Sequence, residues 1–282
     1  MRIPWSTPVE GLTLIRIQGI GRCVARTLLS KGHRVYILDI NEPELKYTVD
    51  THLKRFHPNI GSSLCNLRDV SAIRTAVDSA AKFFGGRIDV VINNGGIAHP
   101  YWKDGKSMDA KETIDQWSAY LETNLTAPFA VSQAAIPYMK MAEDSEEHAQ
   151  VQANSSGEAG PCIIHISSFR WQQSDPNQEG YASTKAGLFG LTQSMAVSCS
   201  RWGIRVNMIA PGRIKVAHEC KEGDEKGDAW KHEDDDVEPH PTNRAGTPED
   251  IAQAIEYVSE AGFLSGQDLT VDGGALRMKN KA

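Results

Sequence analysis

The chain has 282 residues, 40% hydrophobic and 23% charged, and its 36 acidic residues outnumber 30 basic ones for a formal charge of −6. That length suits one large α/β domain or two small ones, with the composition of an ordinary globular protein. The acidic balance argues against nucleic acid as a partner, and the absence of any apolar run near ~18 residues argues against a membrane span.

Residues 1–18 make an atypical start. The segment 7–13 carries Pro8, Glu10 and Gly11 and would be a poor buried strand. Residues 12–17 read as a better strand but leave almost no loop before Gly19. Residues 1–10 lack the apolar stretch of a secretory signal. Helical spacing predicts a helix over 20–30, stopped by Lys31-Gly32. A buried strand with an acid at its end follows over 34–40, then a short strand over 63–67 and a helix capped by Asp69. The strand at 88–93 runs into the tight turn Asn94-Gly95-Gly96. Two helices flank Asn124, with Pro128 in the first turn of the second. The polar stretch 143–160 reads as a surface insertion, which costs little because loop entropy grows slowly with length.

An apolar strand over 162–168 precedes a long helix over 181–201, and a strand over 206–214 ends in Pro211-Gly212. Residues 215–242 are very polar, and the acidic run 233–236 reads as a solvated face. Thr247 caps a helix with Pro248 in its first turn, and the last strand is 267–271. The βα alternation is unbroken, so the expectation is a single domain over 1–282: a Rossmann-type doubly wound parallel sheet with helices on both faces. The five cysteines are scattered without metal-ligand spacing, which suits free thiols in a cytoplasmic protein with no metal site.

Tyr181 and Lys185 are four apart on a helix and share one face. An ammonium beside a phenol favours the phenolate, making a general acid/base out of a group that otherwise titrates near pH ~10. Ser168 falls at the C-terminal end of its strand, the edge where open α/β sheets bind ligands. Its hydroxyl can hold a carbonyl oxygen beside the phenol.

With Asn124 upstream and Pro211-Gly212 downstream, the chain from about Gly19 to Gly274 resembles the short-chain dehydrogenase/reductase family. The resemblance places Asn124, Ser168, Tyr181 and Lys185 on that family's catalytic tetrad, with Asn124 anchoring a proton-relaying water. It implies an NAD(P)-dependent oxidoreductase acting on a secondary alcohol or ketone, assembled as a homodimer or homotetramer, with no nucleic acid or membrane partner.

Gly19-Ile20-Gly21 opens the first helix, where backbone N–H groups favour a pyrophosphate. Asp39 can accept from the adenosine ribose hydroxyls and repels a 2′-phosphate, so NAD is expected. Arg16 and Arg22 near the loop keep NADP as the alternative. By resemblance, Asn66 and Leu67 meet adenine, Asn93 and Gly95 belong to the cofactor turn, and Pro211, Gly212 and Ile214 wall the nicotinamide, which Tyr181 and Lys185 also meet. Val216 stands where the family often has Thr, and 215–242 where it has a substrate lid. Trp171, Gln172, Gln173, His99 and Trp102 are candidates for the substrate side. The start departs from the pattern: Leu14 and Ile15 replace the family's Thr-Gly ahead of Gly19-Ile20-Gly21. A β-branched residue resists the φ > 0 that a tight glycine turn often needs. The rival reading is therefore a pseudoenzyme with impaired dinucleotide binding that acts through oligomeric assembly.

Overall fold

A computed structural model describes residues 17–140, 159–227 and 240–278, and the backbone of 12–15. Most of the 143–160 stretch and the acidic run at 233–236 lie outside the described residues.

Seven parallel strands form one sheet: β1 (Leu12–Ile15), β2 (Val35–Asp39), β3 (Ile60–Leu64), β4 (Val90–Asn93), β5 (Cys162–Ile166), β6 (Arg205–Pro211) and β7 (Asp268–Val271). The order is β3-β2-β1-β4-β5-β6-β7. Strand order reverses between β1 and β4, so a crevice opens outside their C-terminal ends.

Side-chain alternation divides the core into two layers. Ile37, Val90, Ile92, Ile164 and Ile166 face one side with Val24, Leu28, Ile251 and Ile255, from helices α1 (Ile20–Ser30) and α8 (Pro248–Glu260). Leu38, Val91, Ile163 and Val206 face the other. There they meet Ile73, Val77, Val131 and Met195, from α3 (Val70–Phe83), α5 (Ala127–Met139) and α6 (Glu179–Cys199). Burial on both faces is why these strands read as continuous apolar runs. Among the described residues the other α-helices are α2 (Glu42–Tyr47), α4 (Ile114–Leu121) and the short α7 (Lys221–Lys226).

The first βα unit is shortened. β1 occupies the sheet centre and pairs with both β2 and β4, ending at Ile15. The turn into α1 takes its left-handed residue at Gly19, with φ of 68°, and no β-branched side chain bears that strain. The Ile17 amide donates to Asp39 Oδ2 at 2.7 Å, tying the turn to the end of β2.

β3 begins three residues earlier than the expected 63–67. Gly61 lies within the strand, where a Cβ would lie 2.8 Å from the Tyr36 ring. The glycine is a packing requirement within the strand.

Candidate active site

α6 starts at Glu179, so Tyr181 lies in its first turn and Lys185 one turn further along the same face. Lys185 Nζ sits 5.6 Å from the centroid of the Tyr181 ring. The ammonium is buried and donates to the carbonyl of Ile166, the last residue of β5, at 3.0 Å. Ser167 donates to the Lys185 carbonyl at 2.9 Å, fastening α6 to the same strand end. Ser168 follows. Its Oγ accepts the Arg170 amide at 3.2 Å, which uses a lone pair and keeps the hydroxyl proton for another acceptor.

α4 and α5 are joined by a single π-helical turn over Glu122–Thr126, a feature that recurs at functional sites. Asn124, inside it, is fully buried. Its Oδ1 accepts the Ile97 amide at 2.7 Å, and its Nδ2 donates to Thr184 Oγ1 at 3.3 Å. The carboxamide thereby ties the 94–97 turn to α6.

Beneath these residues lies a buried polar chain. Asn93 Nδ2 donates to Ser132 Oγ at 3.0 Å and to His165 Nδ1 at 3.1 Å. Burial, then the charge of Lys185, pushes the His165 imidazole down to about 3, so the ring is neutral. Asn93 is thus directed into the sheet, and the members of its turn that reach the cleft are Asn94 and Gly96.

The cleft itself encloses about 530 Å³. It is lined by Gln18, Gly19 and Ile20 at the turn into α1, by Asn94, Gly96 and Ile97 after β4, by Ser168, Tyr181 and Lys185, and by Pro211, Gly212 and Ile214 at and beyond the end of β6. Val216, Ala217, Glu219 and Cys220 roof it. Several groups expected at a cofactor, Asp39 among them, do not line this cleft. Asn66 is exposed and Leu67 half-buried, Gly95 is buried behind the turn, Gly21 is buried inside α1, and none of these walls the cleft.

The candidates for the substrate side also lie elsewhere. The Trp171 ring packs on Phe189 with centroids 4.6 Å apart. Trp102 donates its indole N–H to Glu179 at 2.8 Å and stacks edge-on against Tyr120. Neither residue, nor His99, Gln172 or Gln173, walls the cleft. Ile97, Gln18 and Glu219 were missed by the sequence reading. Ile97 could have been found from its place directly after the Asn-Gly-Gly turn, whereas Glu219 carries no local signal.

A nicotinamide dinucleotide fits these residues. Bare backbone lines its approach: a Cβ on Gly96 would lie 3.0 Å from Asn124 Oδ1, and one on Gly212 only 2.6 Å from the Asp272 Cα. Asp39 Oδ1 accepts the Asn41 amide at 2.8 Å while Oδ2 takes Ile17, leaving further lone pairs for hydroxyl donors. Arg22 serves no phosphate here. Its guanidinium is buried against Glu219 at 2.8 Å and Asp224 at 2.7 Å. Cys23, Glu219 and Glu249 bring ligand-type atoms within 4.8 Å of one another, but Arg26 already bonds both carboxylates.

Residues 15–275 match a family model described as enoyl-(acyl carrier protein) reductase. The chain is 30% identical over 260 residues to an uncharacterized oxidoreductase of Thermotoga maritima, covering 91% of each chain. It is 32% identical to the 3-oxoacyl-[acyl-carrier-protein] reductase FabG of Rickettsia bellii, covering 92% of each. Among solved structures, a putative short-chain alcohol dehydrogenase from Sinorhizobium meliloti superposes with a TM-score of 0.76 at 24% identity, covering 98% of this chain and all of that one. A short-chain dehydrogenase from Burkholderia cenocepacia in complex with NADP gives 0.73 at 24% identity, covering 95% and 98%. With the parallel sheet and the cleft at its C-terminal edge, these matches make the chain a member of the short-chain dehydrogenase/reductase family. Among the described residues no helix is long and apolar enough to cross a membrane.

Proposed function

We propose that this protein is an oxidoreductase that interconverts a secondary alcohol and a ketone with a nicotinamide dinucleotide, NAD(H) in preference to NADP(H). One observation carries the reading: Tyr181, Lys185 and Ser168 wall the same cleft as the glycine turn at Gly19 and Ile20. When bound, the dinucleotide supplies or accepts the hydride. Ser168 donates its hydroxyl proton to the substrate oxygen and orients it. Tyr181 protonates that oxygen in the reductive direction and takes the proton back in the oxidative one. Lys185 stands close enough for its charge to favour the phenolate, and the Ile166 carbonyl holds it there. Asp39 would hold the adenosine ribose and the turn at Gly19 and Ile20 the pyrophosphate. The acidic surroundings of that end, with Glu44 also buried there and Arg22 already paired, support the preference for NAD.

Relatives named for 3-oxoacyl groups carry a ketone in their substrate, which agrees with this chemistry. Exposed Phe129, Val197 and Phe263 support a homodimer or homotetramer, and five free cysteines, four of them buried, support a cytoplasmic location.

The test is Tyr181→Phe, assayed against a panel of ketones and alcohols with both nucleotides. Turnover should fall by about 10²–10⁴-fold, while NADH titrated by fluorescence binds within about twofold of the parent. A variant that keeps its turnover removes the phenol from the mechanism. Failure of the parent to bind either nucleotide would favour the assembly-only reading, for which the Gly19 amide, already donated to the Glu219 carbonyl at 2.9 Å, is the supporting observation.

A further inference from the structure

Arg22 is among the most buried side chains of the protein, at 1% exposure, yet it is a cation on the helix that opens the nucleotide cleft. All its acceptors come from one segment far along the chain. Nε donates to Glu219 at 2.8 Å, Nη1 to Asp224 at 2.7 Å, and Nη2 to the His218 carbonyl at 2.9 Å and to Asp224 at 3.1 Å. Arg26, one turn on, donates to both oxygens of Glu219, at 2.9 and 2.5 Å. Asp224 is also held by Tyr47 at 3.1 Å and His52 at 3.0 Å, the one in α2 and the other just past it. The Lys221 amide donates to both oxygens of buried Glu44, at 3.0 and 3.2 Å, and Gln18 reaches the same carboxylate at 3.4 Å. The segment folds on itself as well: a Cβ on Gly223 would lie 2.4 Å from the His218 carbonyl oxygen.

This segment therefore docks as a unit across α1 and α2. It also covers Gly19, whose amide a dinucleotide would need. The Gly19 amide donates to the Glu219 carbonyl at 2.9 Å, and Val216 covers Gly19 so closely that a Cβ there would lie 3.1 Å from it. Buried ion pairs add little net stability, but they single out one arrangement, because removing a partner strands a charge.

We propose that residues 216–226 are a latched lid: Arg22 and Arg26 hold it down over the glycine turn through Glu219 and Asp224, and dinucleotide enters only when the latch opens. Arg22 and Arg26 are positioning residues that act through the lid. The gate rests on the dinucleotide-dependent function proposed above, whereas the latch can be examined with no nucleotide present.

Two variants of the full chain separate these points. Glu219→Gln weakens the ionic latch. Lys221→Pro removes the amide that bonds Glu44, together with a side chain that reaches Glu225 at 3.7 Å and lies 5.9 Å over the Tyr47 ring. Proline suits this first helical position, because the preceding Cys220 is extended with φ of −157°. Without nucleotide, hydrogen exchange in peptides spanning 216–227 should be slow in the parent and about tenfold faster in both variants, with α1 and the circular dichroism unchanged. In stopped-flow mixing with NADH, the parent's observed rate should level off with concentration at the lid-opening rate. The variants should raise that ceiling about tenfold and bind NADH more tightly. A fast-exchanging segment in the parent, or a linear parent rate matched by both variants, would overturn the latch. If no protein binds NADH or NADPH, the functional reading and the gate fall together. Exchange then decides whether the latch exists.

Discussion

Gly96 faces Asn124 and Lys185. A methyl group there would sit 3.0 Å from Asn124 Oδ1 and 3.7 Å from Lys185 Nζ. Asn124 cannot give way cheaply, because Ile97 and Thr184 hold its carboxamide. Gly96→Ala should therefore displace Asn124 and Lys185 and lower kcat about tenfold, with NADH affinity changed far less. An equal fall in affinity would mean that the turn acts through nucleotide binding and not through the tetrad. Gly212→Ala meets backbone instead, since its Cβ would lie 2.6 Å from the Asp272 Cα. That variant should lose about 1–3 kcal/mol in urea unfolding. Tyr181, Lys185 and Ser168 were legible as a set because a helix turn and a strand end impose their spacing. The disputed turn before Gly19 was not. Which loop residue takes φ > 0 depends on where β1 stops, and pairing with β2 and β4 decides that.

Local signals fixed the helix starts. Asp69 accepts the amides of Ser71 and Ala72 at 2.8 and 3.1 Å, as its position before an apolar run implies. At α8 the Thr247 amide donates to Asp250 at 2.8 Å, and Arg244 grips the same carboxylate at 2.6 and 2.7 Å. This start matters because α8 delivers Ile251, Ile255 and Val258 to the core at zero exposure. Asp250→Ala should cost about 1 kcal/mol, read from the urea midpoint at pH 7; no change would mean the cap is redundant with packing. Elements defined by partners distant in sequence were harder to read. β3 starts at Ile60 and carries Gly61 against the Tyr36 ring of the neighbouring strand, a contact between residues 25 positions apart. The π turn at Asn124 has no signature, and the lid's docking depends on Arg22 and Glu219, which are 197 positions apart.

The fold as a whole carries a pH dependence in its buried histidines. His165 lies in the interior strand β5 at zero exposure, and burial, then the charge of Lys185, pushes it down to about 3. His33 and His52 are held below their ordinary value too, in each case first by burial. The sign follows from proton counting. Between an unfolded value near 6.5 and a folded value near 3, the unfolded chain binds a proton that the native His165 refuses. Its contribution is therefore fully present above about pH 6.5 and is lost progressively as the solution is acidified below that, with nothing lost on the alkaline side. From pH 7 to 5.5 this one ring should cost about 1 kcal/mol of unfolding free energy. Most carboxylates do not yet titrate in that window. His165→Asn isolates the effect, because its side-chain carbonyl still offers Asn93 an acceptor while carrying no titratable proton. The variant should begin less stable or equal at pH 7 and lose less on acidification, so that its urea-unfolding profile against pH is flatter by about that amount. Parallel profiles for the two proteins would mean that the ring becomes protonated within the native sheet, next to Lys185.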